Sequence, residues 1–177
     1  MADAGAILDD VPDWVARLRG ELQMHTVWSD GSGSVADMAK AASAQGYSYI
    51  AITDHSKGLK IAGRIDEEAL ERQGLEIEEI NNAGSGKTVL RSIEMNRNPR
   101  GDADMEPAAL ARLDLVLGAF HSSLRSKDDQ TERYLAAVRN PDVQILAPRA
   151  AEFIIFDWAS PPIGREFSRR RRRWTRR

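Results

Sequence analysis

Residues 46–55 read Gly-Tyr-Ser-Tyr-Ile-Ala-Ile-Thr-Asp-His, and the fold follows from them. Tyr49 to Thr53 is a short apolar run bounded by a glycine on one side and two ionisable residues on the other. Such a run reads as a strand buried on both faces, the kind found in parallel sheets covered by helices. Upstream, Val35, Met38, Ala39 and Ala42 recur at helical spacing, with Ser34 as the expected N-cap and Gly46 as the expected C-terminal stop. Before that helix lie a Gly/Ser-rich turn, Ser29 to Ser34, and a first strand predicted over Glu21 to Thr26.

Downstream the alternation continues. Asp66 caps a predicted helix whose apolar face carries Ala69, Leu70, Gln73, Ile77 and Ile80, with Gly74 inside it at a cost of about 1 kcal/mol relative to alanine. A third strand is predicted over Val89 to Met95. Pro107 then opens a short helix running to about Leu113, where its missing N–H does no harm. Leu115 to Phe120, Thr131 to Arg139 and Val143 to Leu146 follow as strand, helix and strand. Four helical segments between five strands predict an α/β fold on a parallel sheet, open or curled into a barrel. Past Leu146 the pattern ends in a Pro-Pro pair, an apolar knot from Phe153 to Trp158 and a run of five arginines.

Bulk properties narrow the function. The 177 residues hold no cysteine, which excludes a disulfide framework, a thiolate zinc site and a thiol nucleophile. The N-terminus has no basic, apolar signal pattern and no window approaches a membrane span, so a cytoplasmic protein is expected. Residues 165–177 carry eight arginines and one glutamate, a local charge of +7 that leaves −9 on the rest of a chain whose net charge is −2. An acidic body joined to a basic tail predicts domain-like parts at 1–19 (a lead-in helix), 20–146 (the folded unit) and 147–177 (an irregular or disordered basic tail).

All three histidines of the chain fall at the predicted C-terminal ends of strands: His25 after the first, His55 after the second, His121 after the fourth. Asp30 and Glu94 join them. In a parallel α/β sheet these ends open on one face, where function gathers. A lone histidine there is more often a capping residue, but three with two carboxylates form a ligand set for zinc, manganese or iron. Glu94 interrupts an apolar run, where an uncompensated carboxylate is costly. Asp54 suits a supporting role, orienting His55 or capping a turn. Lys57, Arg91 and Arg125 are candidate contacts to a substrate phosphate, each equally readable as a surface charge. Ala83 to Thr88 (AGSGKT) lacks a glycine at Asn81 and runs from helix to strand, so it reads as a tight turn and not as a phosphate loop.

Four segments, ELQMHTVWSDGSGS (21–34), YIAITDHSKGLKIAG (49–63), RSIEMN (91–96) and LGAFHSSL (117–124), resemble in order and spacing the motifs of the PHP (polymerase and histidinol phosphatase) family. The resemblance covers about Gly20 to Leu146 and is nearest to the PHP domain of bacterial family X DNA polymerases. It implies the N-terminal part of a distorted (βα)7 barrel with up to three divalent metals at its strand ends. It further implies His25, Asp30, His55, Glu94 and His121 as metal ligands, Glu94 bridging, and hydrolysis of phosphomonoesters or phosphodiesters by a metal-activated water.

Two departures qualify the activity. The family's opening His-x-His is Gln23-Met24-His25 here, and a glutamine amide is a poorer ligand than imidazole. The later Gly-His-Pro and Asp-x-His have no counterpart, residues 147–149 being Ala-Pro-Arg. Fewer metals and impaired turnover are therefore expected, with a change of coding frame near Ala147 as the explanation of the arginine tail. The alternatives are a non-catalytic scaffold beside DNA polymerase or repair enzymes, and a basic tail that contacts nucleic acid through phosphates.

Overall fold

The computed structural model describes residues 17–58, 64–84, 87–123 and 126–147. The predicted lead-in before residue 17, Arg125, and the predicted tail beyond Ala147 lie outside the described residues.

The first strand, β1, is Gly20–Met24, two residues shorter than predicted at its C-terminal end. There the backbone turns: the Ser29 and Gly31 amides both donate to the Thr26 carbonyl, at 3.0 and 2.9 Å. Helix α1, Val35–Ala44, starts on a reciprocal cap in which Ser34 and Asp37 satisfy each other's backbone amides. It ends before Gly46, whose φ of +77° is a conformation other residues resist. Strand β2 is Tyr49–Ile52, helix α2 is Glu67–Asn82 capped by Asp66, and strand β3 is Thr88–Asn96. A single turn, α3, Pro107–Leu110, precedes strand β4, Leu115–Ala119. Helix α4, Thr131–Arg139, and the short strand β5, Ile145–Leu146, complete the described elements.

The five strands are all parallel and lie in chain order, forming a curled half-barrel. One face is dry. Ile50, Ile52, Val89 and Ile77 pack with Val35, Ala39 and Ala42 of α1. Ile93, Met95 and Val116 pack with Ala69, Leu70 and Leu110. Each fully buried isoleucine contributes about 1.5–3 kcal/mol, which fixes the strand register. With these side chains toward the helices, the alternation of a strand turns Gln23, Glu94 and Asn96 to the opposite, concave face. Trp28 sits over the junction of both apolar clusters and donates from Nε1 to Glu76 at 2.8 Å.

Among the described residues no helix is long and apolar enough to cross a membrane.

Candidate metal centre

Glu94 stands at the middle of the site. It projects from β3 into the concave face, is 5% exposed, and is approached from three strands. Its Oε2 lies 3.2 Å from His25 Nε2 and 3.8 Å from His55 Nδ1. Its Oε1 lies 3.0 Å from His121 Nε2. Asp30, half-exposed on the loop after β1, closes the ring: Oδ1 is 3.1 Å from His25 Nδ1, and Oδ2 is 3.5 Å from His55 Nε2. The His25 and His55 ring centres are 4.5 Å apart, those of His55 and His121 5.1 Å. The structure thus brings His25, Asp30, His55, Glu94 and His121 into one cluster. Gln23 joins it too, donating from Nε2 to Glu94 Oε2 at 3.0 Å.

The packing of charges perturbs their protonation. The Glu94 carboxylate lifts the His25 imidazole above its ordinary value, against the effect of burial. Burial pushes His55 down, more than the neighbouring Glu94 raises it. For Glu94 burial alone would favour the neutral acid, but the contacts from His121 and His25 outweigh it and hold the carboxyl far below the usual carboxylate range.

Donor atoms of His25, His55 and Glu94 all lie within 4.8 Å of one another, a spacing that suits a shared cation. The side-chain chemistry also fits. His25 Nδ1 and His55 Nδ1 are buried yet make no hydrogen bond: an Asp30 oxygen lies 3.1 Å from the first but out of line, and a Glu94 oxygen lies 3.8 Å from the second, beyond hydrogen-bond reach. Buried nitrogens beside carboxylates but not hydrogen-bonded to them suit ligands of a common ion. Two ligand atoms on one tetrahedral ion are about 3.3 Å apart, given bonds near 2.0 Å. The donor set of imidazoles and carboxylates suits zinc, manganese or iron.

Asp54 supports this cluster from below. It is fully buried, and its carboxylate accepts four hydrogen bonds: from Thr26 N (2.7 Å), Thr26 Oγ1 (2.6 Å), Ser29 Oγ (2.5 Å) and Gln73 Nε2 (2.6 Å). Its partners tie the loop carrying His25 and Asp30 to α2, so its supporting role is exercised on that loop. Of the basic residues read as phosphate contacts, Lys57 pairs with Glu67 at 2.6 Å and Arg91 pairs with Glu78. Sequence reasoning passed over Arg133. Its guanidinium lies 4.1 Å from the Phe120 ring centre and donates to the Ser122 carbonyl at 2.6 Å, bracing the turn after His121. An arginine in the first turn of a polar helix carries no signal of that burial.

A parallel half-barrel with imidazoles and carboxylates gathered at its strand ends defines an α/β protein with a candidate divalent-metal centre. The family model described as "PHP domain" matches residues 21–112, over half of the sequence, and the chain belongs to that family. Over 134 residues it is 37% identical to the DNA polymerase/3'-5' exonuclease PolX of Bacillus subtilis (strain 168), covering 75% of this chain and 24% of that protein. It is 32% identical over 128 residues to a probable phosphatase of Acetivibrio thermocellus, covering 70% of this chain and 51% of the relative. A probable phosphatase of Serratia proteamaculans is 29% identical over 132 residues, 72% of this chain and 51% of that one. The chain therefore spans about a quarter of the polymerase and about half of each phosphatase.

Proposed function

We propose that the chain is a metal-dependent phosphoesterase domain of the PHP type, acting on phosphomonoesters or phosphodiesters. The observation that carries this reading is the pair of orphaned buried imidazole nitrogens, His25 Nδ1 and His55 Nδ1, beside Glu94 and Asp30. In the proposal His25, Asp30, His55, Glu94 and His121 hold the ions. Glu94 faces His25 and His55 with one oxygen and His121 with the other, so its two oxygens can serve two ions. Divalent ions bound there would supply an activated water and neutralise charge on a phosphate ester. The chain's own part is to hold these ligands in place: Asp54 fixes the His25–Asp30 loop, and Arg133 fixes the turn after His121. The relatives named as phosphatases support the substrate class, and the relative named as a polymerase with exonuclease activity is compatible with a nucleic-acid ester. A cytoplasmic location fits a chain free of cysteine.

Turnover by this chain is proposed to be weak. No histidine follows His121 in the 177 residues, and the family's later ligand motifs have no counterpart. A frame change near Ala147 accounts for both features and is tested by reading the gene past that codon. The primary test incubates the purified chain with Mn²⁺ or Zn²⁺ and follows release of p-nitrophenol from p-nitrophenyl phosphate, a monoester, and bis(p-nitrophenyl) phosphate, a diester. Slow hydrolysis that is lost with EDTA is expected. Hydrolysis that survives both EDTA and Glu94→Gln would overturn the proposal.

One contact favours a second reading, a scaffold without catalysis. The Gln23 amide donates to the same Glu94 oxygen that faces His25 and His55, and so competes for the lone pair a cation would use.

A further inference from the structure

Asn96 ends β3 two residues after Glu94, so its side chain shares the concave face. Its Oδ1 lies 3.2 Å from His121 Nδ1, while His121 Nε2 faces Glu94 Oε1 at 3.0 Å. An amide oxygen only accepts, so the ring nitrogen facing it must carry the proton. The Asn96 amide nitrogen lies on the far side from the ring, toward Gly58. A Cβ placed on Gly58 would lie 2.5 Å from Asn96 Nδ2 and 2.3 Å from Asp104 Oδ2, so the amide nitrogen and the Asp104 carboxylate crowd the same glycine.

Asp104 is anchored in turn. Ser56 Oγ donates to it at 2.7 and 2.9 Å, and Gly58 N donates to it at 2.6 Å. The same Ser56 Oγ accepts the Asn96 backbone N–H at 2.8 Å. Ser56 is fully buried. Burial lifts the Asp104 carboxyl above its ordinary value even with Ser56 and Gly58 bonded to it. Asp104 belongs to the excursion between β3 and α3, a segment that supplies none of the clustered imidazoles or carboxylates.

We propose that Asn96 is a positioning residue that holds His121 with Nδ1–H bonded to its amide oxygen and Nε2 presented to the metal centre, and that Asp104 locks Asn96 in that orientation through Ser56 and Gly58. This rests on the metal-centre reading above. The relay joins the segment after β2, which carries His55, to the end of β4, which carries His121.

The test uses the full 177-residue chain and titrates Co²⁺ and Zn²⁺ against a chromophoric chelator. Asn96→Leu, similar in size but without an acceptor, is expected to weaken metal affinity about 10–100-fold, the usual range when a ligand's hydrogen-bond partner is lost. Asn96→Asp combined with Asp104→Asn keeps the acceptor without setting two carboxylates together, and is expected to stay within a few-fold of the unsubstituted chain. Asp104→Ala is expected to reproduce about a tenfold loss, and Asp104→Asn, which keeps an acceptor for Ser56, to recover most of it. Nitrogen-15 NMR of the Zn²⁺-loaded chain supplies a readout that a merely structural residue would not move. His121 is expected as the Nδ1–H form with a slowly exchanging proton in the unsubstituted chain and in the Asn96→Asp/Asp104→Asn double variant. That protection should vanish in Asn96→Leu. Unchanged affinity in a folded Asn96→Leu, or a His121 proton on Nε2, overturns the inference alone. Failure of the unsubstituted chain to take up either metal overturns the proposed function and this inference with it.

Discussion

Replacing Asp54 by alanine is expected to be the most damaging change that touches no clustered imidazole. Its carboxylate takes four hydrogen bonds at full burial. Two of the donors, Thr26 Oγ1 and Ser29 Oγ, are hydroxyls that can rotate toward other acceptors. The other two cannot relax so easily: Thr26 N is backbone, and the Gln73 amide is itself buried. Each stranded N–H costs about 1–3 kcal/mol, so Asp54→Ala is expected to lose about 4 kcal/mol. With a urea slope of about 2 kcal/mol per molar, the unfolding midpoint falls by about 2 M. Asp54→Asn is the graded control. An amide whose NH2 faces Thr26 Oγ1 and a flipped Gln73 leaves Thr26 N bonded, so a loss of about 1–2 kcal/mol is expected. The assay is urea unfolding followed by circular dichroism, with the metal-binding titration on whatever folded protein remains. If Asp54→Ala unfolds within about 0.5 M of the unsubstituted chain, the network is not holding the loop and the account is wrong.

Three further outcomes are expected. Glu94→Gln keeps the shape and removes the charge shared by His25, His55 and His121, so metal affinity should drop at least about 100-fold while the fold persists; retention of tight binding would move the centre elsewhere. Gly58→Ala forces a Cβ against Asp104 and Asn96, and is expected to cost about 1–3 kcal/mol, read by thermal unfolding; a neutral result would contradict the close approach. Lys57→Met breaks an exposed pair and should cost no more than about 1 kcal/mol. Lys57 holds the Glu67 carboxyl below its ordinary value of 4.5, so that contribution is present above 4.5 and fades as pH falls through the lower folded value. Glu67 holds the Lys57 ammonium above 10.5, so its part is full below 10.5 and fades as pH rises through the higher folded value. The difference between the two chains should therefore be flat from about pH 6 to 9 and shrink at both ends; growth on acidification would contradict the pairing.

The order of strands and helices was readable because each element is amphipathic or apolar over its own length. Tyr49 to Thr53 and Leu115 to Phe120 needed no distant information, and the position of a histidine after each followed at once. Ends were less secure. β1 stops at Met24 because Thr26 is taken up by the turn at Gly31 and by Asp54, a partner 28 residues away. The supporting residues were hidden for the same reason. Gln73 meets Asp54 across 19 residues, Ser56 meets Asp104 across 48, and Arg133 braces Ser122 across 11. No periodicity in the chain encodes such pairings. Gln73 was placed on the buried face of its helix by spacing alone, but the reason a glutamine stands there, a carboxylate from the next layer, required the fold.

Gln23 offers the sharpest separation between an impaired enzyme and a scaffold. Its position is that of the first histidine in the family's opening motif, and its amide sits 3.0 Å from Glu94 Oε2. That oxygen already faces His25 at 3.2 Å and His55 at 3.8 Å, so a third donor there stabilises the bare carboxylate and lowers its call for a cation. Gln23→His exchanges a competing donor for a nitrogen lone pair on the same strand and face. An imidazole is a far better ligand for zinc than an amide oxygen. If the remaining cluster is a working centre short of one ligand, the variant should bind Zn²⁺ about tenfold more tightly or more, and hydrolysis of p-nitrophenyl phosphate should rise with it. A scaffold whose cluster survives as a hydrogen-bonded plug predicts otherwise. There, loss of the Gln23–Glu94 bond lowers the unfolding temperature, and neither metal stoichiometry nor hydrolysis changes. Tighter binding without any gain in turnover would mark a centre that takes up metal but does not hydrolyse this ester.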